Sequence, residues 1–244
     1  MMIAENVRIL RERVAAACRR VDRGIHEVAL IAVSKTFDAA HVRDAVLAGV
    51  GDIGENYVQE ACAKKSELPG IDARWHFIGH LQTNKVNKIA PWIDCIHGVD
   101  SHQLGKEIAT HATRLHRTID VLIEVNTSGE ATKFGVQPVD VRELAESLES
   151  LSGIRLAGLM TIGPFLPDPE ASRPSFRLLR SIRDEINQRG LNIAHLSMGM
   201  TNDFEVAIEE GATMIRIGTA IFGKRVKRSK NDAPASDDLS HIIT

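Results

Sequence analysis

Apolar positions along the chain fall into two kinds of segment. The clearest short run is 28–35, where six consecutive apolar residues end at Ser34 and Lys35. The clearest longer segment repeats apolar residues at spacings of three and four, with the members Val141, Leu144, Ala145, Leu148 and Leu151. Short apolar runs bounded by turn residues predict buried strands, whereas the three-and-four spacing predicts amphipathic helices.

The pattern predicts eight strands, most of them separated by helix-like segments. An amphipathic opening helix over 3–21 precedes the predicted strands Val28–Lys35, Asp52–Glu55, Arg74–Gly79, Cys95–Val99, Ile119–Asn126, Ile154–Thr161, His195–Met198 and Thr213–Ile217. Strands that alternate with helices form a parallel sheet with right-handed crossovers. Eight such units predict an α/β fold, a single (β/α)8 TIM-type barrel over residues 1–225. A doubly wound sheet, or a miscount at a short strand such as Asp52–Glu55, is the alternative.

Length, charge and cysteine content fit one domain. The chain has 244 residues, 43% of them hydrophobic, and a net charge of -2, so we expect no nucleic-acid partner. No apolar run approaches the roughly 20 residues of a membrane span, and the amino terminus does not resemble a signal peptide. Cys18, Cys62 and Cys95 are odd in number and far apart. Together these features predict a reduced, cytoplasmic protein that binds no membrane.

Composition changes after residue 225. The segment 226–244 opens with basic residues and continues through a run rich in Asp, Asn, Ala, Ser and Pro, with few apolar positions. Such a segment cannot bury enough apolar surface to fold, so the pattern predicts a disordered tail. The basic cluster over 224–228 has no neighbouring aromatic residues, which favours a solvated tail over a nucleic-acid patch.

Lys35 is the first candidate for chemistry. Alternate residues of a strand share a face, so Lys35 shares its face with the apolar Ile31 and Val33 and emerges at the rim of the interior. Active sites of barrels lie at the carboxyl ends of the strands. Partial desolvation and a nearby cation would lower the pKa of the lysine and leave neutral amine to attack an aldehyde. A lysine snorkelling at a strand end is the alternative reading of this residue alone.

A second group of candidates follows the seventh and eighth predicted strands, where barrels frequently bind phosphate. These glycines and hydroxyl residues are Ser197, Gly199, Thr201, Gly218 and Thr219. The segment 202–205 resembles a capping box, which predicts a helix N-terminus there. A lysine beside an organic-phosphate site predicts an imine with a phosphorylated aldehyde, above all pyridoxal 5'-phosphate (PLP).

Arg216 lies on the eighth predicted strand and shares a face with Met214 and Gly218. A buried guanidinium needs acceptors, so Arg216 is either a structural ion-pair partner or a donor to the pyridine nitrogen of PLP. In the second case the ring nitrogen stays unprotonated, because arginine does not readily give up its proton. The ring is then a poor electron sink, which disfavours reactions through a fully delocalised carbanion.

Several segments, in their joint order, resemble the PLP homeostasis proteins, a family whose fold is like the amino-terminal barrel of alanine racemase. The resemblance covers residues 3–223 and rests on the segments Ala32–Thr36, Gly54–Glu60, Trp75–Gly79, Leu81–Lys85, Gly158–Met160, Leu196–Met200 and Arg216–Gly218. It implies that Lys35 carries the PLP imine, that Arg216 faces the pyridine nitrogen, and that Asn56 and Met160 line the ring. It also implies that the five glycine and hydroxyl candidates hold the phosphate. The chain departs from the family pattern at His80 (usually proline), Thr83 and Thr201 (usually serine) and Gly98 (often serine).

Two classes of function compete, a PLP carrier without a dedicated reaction and a PLP-dependent enzyme. An enzyme such as an amino-acid racemase needs a second proton-transfer group facing Lys35, and the single tyrosine, Tyr57, lies early in a helix-like segment. A third class, the Schiff-base aldolases, usually carries its lysine on a later strand. We therefore predict a vitamin B6 carrier that stores, buffers or delivers PLP without dedicated catalysis, as a monomer, with PLP-requiring apo-enzymes as acceptors. A racemase or related enzyme of weak activity is the alternative.

Histidine spacing predicts no metal site. On one strand, His76 and His80 share a face but lie roughly 13 Å apart, too far to bind one ion. His111 and His116 are five residues apart on a predicted helix and do not align. We interpret all four as ordinary histidines.

Overall fold

The computed structural model describes residues 2–130, 134–164 and 166–224, and the predicted tail over 226–244 lies outside them. Its strands are β1 (Ala29–Val33), β2 (Asp52–Glu55), β3 (Arg74–Phe77), β4 (Cys95–Val99), β5 (Ile119–Glu124), β6 (Ile154–Met160), β7 (His195–Ser197) and β8 (Met214–Ile217). Neighbouring strands pair in parallel and in chain order, and β8 pairs with β1 to close the barrel. The prediction of an eight-stranded α/β barrel is confirmed, and the doubly wound sheet is excluded.

Helices surround the barrel. In the described residues they are α1 (Met2–Arg20), α2 (Ala39–Leu47), α3 (Val58–Glu67), α4 (Val86–Ile89), α5 (His102–Arg114), α6 (Val141–Glu149), α7 (Arg173–Gln188), α8 (Phe204–Glu209) and α9 (Thr219–Phe222). Short 3-10 turns lie at Ile25–Glu27, Thr83–Lys85, Pro138–Asp140 and Pro169–Ser172. Within the described chain, every helix is too short or too polar to cross a membrane.

The predicted strands differ from the observed ones mainly at their carboxyl ends. The first strand was predicted to reach Lys35 but ends at Val33, because the next residues turn out of the sheet. The Phe37 amide donates to the Ser34 carbonyl at 3.0 Å, and Thr36 has a φ of 71°. A non-glycine residue with such a φ is uncommon, so the surrounding contacts must hold this turn.

The barrel interior is filled by side chains. An apolar cluster inside it consists of Ile31, Cys95, Leu122, Ala157, Met160 and Met214. A larger apolar core lies between the sheet and the helices. Two fully buried histidines, His76 and His97, interrupt the apolar interior and lie on the neighbouring strands β3 and β4.

Helix α1 packs beside the place where the first and last strands meet. It contacts α2, α8 and α9, and its buried face follows the helical spacing Ile3, Val7, Leu10, Val14 and Ala17. The side-chain amide of Asn6 also donates to the carbonyl of Ile221 at 2.8 Å. The opening helix therefore links the early part of the chain to the last described helix.

Candidate functional site

A cavity of about 430 Å³ opens at the carboxyl ends of the strands. Its volume falls within the roughly 300–1,000 Å³ typical of small-molecule sites. Six of the nine predicted site residues line it, namely Lys35, Asn56, Thr201, Arg216, Gly218 and Thr219. The fold thus brings the lysine after β1 together with the arginine of β8 and the glycine–threonine pair that follows β8.

The other three predicted residues are not among those that line the cavity. Met160 belongs to the apolar cluster inside the barrel, and the Ser197 hydroxyl is hydrogen-bonded within the protein. Gly199 has a φ of 90°, and a Cβ there would lie 2.5 Å from the Cβ of Ala207, so this turn requires glycine. Their roles toward a ring or a phosphate stay predictions.

Helix α3 holds the backbone on both sides of Lys35. The Nζ of Lys64 donates to the Ser34 carbonyl at 2.7 Å, and Glu60 Oε1 accepts the Thr36 amide at 2.5 Å. Lys64 also donates to Glu60 at 2.6 Å, so one buried ammonium organises these contacts. The sequence pattern did not single out Lys64, although the acid and the lysine four residues later on a helix were a visible signal.

A buried carboxylate completes this cluster. Glu55 Oε1 accepts from Lys64 Nζ at 2.6 Å and from the Ser34 hydroxyl. Burial raises the pKa of Glu55, and the neighbouring Lys64 opposes that shift. Removing one partner of a buried ion pair leaves an uncompensated charge and destabilises the fold. Glu55 and Lys64 therefore act as a unit beside the turn that carries Lys35.

Arg216 reaches the cavity from inside the barrel. Its guanidinium donates to the Ser197 hydroxyl at 2.7 Å and to the Thr161 carbonyl at 2.8 Å. Burial lowers the pKa of Arg216 to about 10, opposed by Glu124, so the side chain still carries its proton at neutral pH. The sequence left Arg216 as either a structural ion-pair partner or a donor to a ligand. Its direct partners are two neutral oxygens, so it is not held by a hydrogen-bonded carboxylate.

Behind Arg216, the two buried histidines continue the hydrogen bonding. His97 Nδ1 lies 2.9 Å from the Ser197 hydroxyl, and His97 Nε2 lies 2.9 Å from His76 Nδ1. His76 Nε2 lies 2.8 Å from a carboxylate oxygen of Asp52. The sequence comparison of His76 with His80 missed this pair, because the partner of His76 lies on the next strand.

His76, Cys95 and His97 each bring one potential metal-ligand atom within 4.8 Å of the others. All three side chains are buried, and burial raises the pKa of the Cys95 thiol, which favours the neutral form. All four ring nitrogens have hydrogen-bond partners in the protein. The hydrogen-bonding groups of both rings are therefore already paired, and the cluster is a hydrogen-bonded histidine pair beside a thiol.

Glu124 is a buried acid at the end of β5 that the sequence pattern did not indicate. Burial raises its pKa to about 7, Arg216 opposes the shift, and Asp100 adds to it. Gly98 packs closely beside it. A Cβ at Gly98 would lie 3.4 Å from Glu124 Oε2 and only 2.7 Å from the Gly79 carbonyl oxygen. The departure from the family pattern at Gly98 thus coincides with tight backbone packing near this carboxyl.

Two further sequence features have defined positions. His80 stacks on Phe134 with ring centroids 4.3 Å apart and lies 3.6 Å from Asp100. The predicted capping box does not form, because the Asp203 carboxylate turns back to accept the Met200 amide at 2.7 Å. Asp203 also accepts the hydroxyl of Ser172 at 2.8 Å, which fixes the loop between β7 and α8.

The closed barrel, its lysine after the first strand and its arginine on the last define a recognisable class. A family model described as "Alanine racemase, N-terminal domain" matches residues 3–226, which places the chain among barrels of this type. It is 47% identical over 227 residues to the pyridoxal phosphate homeostasis protein of Aquifex aeolicus, covering 92% of this chain and 99% of that protein. The namesake from Pseudomonas aeruginosa is 42% identical over 227 residues, covering 91% and 96% respectively. The chain belongs to the pyridoxal phosphate homeostasis protein family.

Solved structures agree with this assignment. PipY of Synechococcus elongatus, in a structure with PLP bound, has 37% sequence identity and a TM-score of 0.80, covering 91% of this chain and 100% of PipY. An alanine racemase of Clostridium difficile has 15% identity and a TM-score of 0.72, covering 93% of this chain and 58% of the racemase. The second likeness concerns the fold alone. The family resemblance seen in the sequence is confirmed.

Proposed function

We propose that this chain binds PLP and acts in its homeostasis as a store, buffer or donor of the cofactor. The observation that carries the proposal is one cavity lined by Lys35, Arg216, Gly218 and Thr219. The family relatives named for PLP homeostasis and the PLP-bound PipY structure support the same ligand. Bound PLP supplies an aldehyde that condenses with a lysine amine with loss of water.

The residues around the cavity fit this ligand. Lys35 would supply the amine, and Arg216 would donate toward the pyridine nitrogen. The hydroxyls of Thr201 and Thr219, with the backbone at Gly218, would bind the phosphate. Of the remaining predicted residues, Gly199 would shape the phosphate loop, Ser197 would act through Arg216, and Met160 would support the ring from below.

Asn56 provides an independent test of fit. Its side-chain oxygen is buried and has no hydrogen-bond partner among the residues that the structure describes. Buried polar atoms are rarely left unpaired, so this oxygen is suited to accept a hydrogen bond from a ligand. Because Asn56 also lines the cavity, a polar ring substituent of PLP would supply that missing donor.

The site favours a carrier over a racemase. Tyr57 is 58% exposed and is not among the residues that line the cavity. The titratable side chains in the described lining are those of Lys35, Asp203 and Arg216. Asp203 already accepts two hydrogen bonds, and Arg216 stays protonated, so neither is suited to be the second base that racemisation needs.

The finer parts of the proposal concern the cell. We expect a cytoplasmic monomer that passes PLP to apo-enzymes and has no dedicated reaction of its own. Three free cysteines, two of them buried, are compatible with a reducing compartment.

Absorbance spectroscopy tests the ligand and its attachment. Purified protein mixed with PLP should show a near-visible band, and borohydride should fix the cofactor on the Lys35 peptide in mass mapping. Lys35→Ala should lose the fixed adduct, whereas Lys106→Ala, which removes an exposed lysine of α5, should retain it. No band with the unmodified chain, or an adduct that survives Lys35→Ala, would refute the assignment.

A further inference from the structure

Five side chains form one continuous hydrogen-bonded series through the barrel interior. From the cavity inward they are Arg216, Ser197, His97, His76 and Asp52, with successive distances of 2.7, 2.9, 2.9 and 2.8 Å. The link between His97 on β4 and Ser197 on β7 joins strands that are not neighbours in the sheet, so it crosses the barrel. We call this series the interior chain.

The two ends of the interior chain fix its direction. A guanidinium only donates hydrogen bonds, and an ionised carboxylate only accepts them. Arg216 therefore donates to Ser197, whose single hydroxyl proton is left to donate to His97 Nδ1. His97 must then carry its proton on Nε2 and donate to His76 Nδ1, and His76 in turn donates from Nε2 to Asp52. With Asp52 ionised and neither ring doubly protonated, this is the single pattern that satisfies every bond, and both rings are then neutral Nε2–H tautomers.

The surroundings favour a neutral ring at His97. His97 is fully buried, and burial, His76 and Arg216 hold its pKa well below the usual value. The reverse direction would require either a protonated carboxyl at Asp52, whose side chain is 22% exposed, or a doubly protonated His76. The accepting oxygen of Asp52 thus decides the direction in which His76, His97 and Ser197 donate.

Asp52 acts at a distance from the cavity. It is the first residue of β2, whereas Asn56, four residues later, lines the cavity. At the rise of an extended strand, four residues span roughly 13 Å. A change at Asp52 therefore reaches the cavity through the interior chain rather than by contact.

We propose that Asp52, His76 and His97 are positioning residues that orient Arg216 toward the ligand, with the Asp52 carboxylate as their remote anchor. This inference rests on the proposed function for its ligand, but the interior chain itself is defined without PLP. Without the anchor, His76 and His97 would exchange between tautomers, and the Ser197 hydroxyl proton would lose the fixed direction that aims the oxygen lone pairs at the Arg216 guanidinium.

Nitrogen-15 NMR of the histidine rings, recorded on the protein without added ligand, tests the direction of hydrogen bonding along the interior chain. The unmodified protein should show both His76 and His97 with a protonated Nε2 and an unprotonated Nδ1 at neutral pH, assigned with single His→Gln variants. A protonated Nδ1 on either ring, or a doubly protonated ring, would overturn the inference. This result does not depend on whether the protein binds PLP.

PLP titration followed by the near-visible band tests the functional arm. Asp52→Ala removes the acceptor and should weaken PLP binding at least threefold, with a shifted absorbance maximum and mixed His76 tautomers. Asp52→Asn keeps an acceptor oxygen and should stay within twofold of the unmodified chain. Asp72→Asn, a change at a nearby exposed acid, is the matched control and should alter neither reading.

The outcomes separate the two proposals. If the unmodified protein does not bind PLP, the proposed function fails. The ring tautomers still decide the direction of hydrogen bonding along the interior chain. If it binds PLP but Asp52→Ala matches the control in affinity and absorbance maximum, the positioning role is wrong. A uniform loss in both Asp52 variants would also contradict it, because the amide retains the acceptor.

Discussion

Glu124 illustrates how one buried group gives the protein a pH-dependent property. The residue is 5% exposed, and burial raises the pKa of its carboxyl from 4.5 to about 7 despite the nearby Arg216. An acid with a raised pKa in the folded state keeps its proton after the unfolded chain has lost it. The folded state therefore binds more protons between about pH 4.5 and 7, and its stability falls as pH rises through that window.

Glu124→Gln should remove this pH-dependent penalty, because the amide is neutral at every pH. Relative to the unmodified chain, the free energy of unfolding of the variant should rise between pH 4.5 and 8 by at most about 3 to 4 kcal/mol, from roughly 1.4 kcal/mol per pKa unit. Urea unfolding at pH 4.5, 6 and 8 measures the difference. The exposed Glu149→Gln should show a flat difference, and a flat difference for Glu124→Gln as well would contradict the assignment.

At the residue level, the sequence anticipated the groups at strand ends better than their partners. Lys35 and Arg216 follow from position on a strand and from chemistry. His97 and Lys64 do not, because their partners are brought near by the barrel rather than by local periodicity. His97 and Ser197 are 100 residues apart in the sequence yet 2.9 Å apart in the structure.

Strands were the most predictable elements. The bounds of β2 and β4 match the sequence prediction, and the other strands differ by one or two residues at their ends. Apolar residues continue past the ends of some strands, as at Ile78 after β3 and Val125 after β5, so hydrophobicity alone extends a strand too far. The capping residues of α8 were mispredicted because Asp203 has a competing backbone partner at Met200.

Close packing between β6 and β7 makes Gly158 a sensitive position. A Cβ on Gly158 would lie 2.1 Å from the carbonyl oxygen of His195, a backbone atom that cannot turn aside. Gly158→Ala should therefore destabilise the fold by about 1–3 kcal/mol in urea unfolding, as overpacked sites do. Gly51→Ala places its methyl where no atom lies within 4 Å and should change stability by less than about 0.5 kcal/mol. Equal stability of the two variants would contradict the packing argument.

On the scale of the whole molecule, the barrel closes by pairing the first strand with the last. Helix α1 packs across this region against α2, α8 and α9, so it stabilises the closure from outside. Leu10 lies on its buried face and is 2% exposed, whereas its neighbour Ile9 is 44% exposed.

Leu10→Ala should lower the free energy of unfolding by about 2–5 kcal/mol, the range for truncating a buried leucine. Ile9→Ala is the matched control and should cost much less, because its side chain is already in water. Urea unfolding of both variants gives the comparison. If the two substitutions cost the same, the contact of α1 with the barrel is weaker than the burial of Leu10 indicates.

Because β1 pairs with β8, the cavity can form only late in the synthesis of the chain. Lys35 is translated early, but Arg216 and Gly218, which share its cavity, are added about 180 residues later. At translation rates of about 5–20 residues per second, the lysine waits roughly 10–35 s on the ribosome before the rest of the cavity exists. Ribosome-bound fragments therefore lack the complete site, and the cavity becomes available to a ligand only in chains whose last strand has been made.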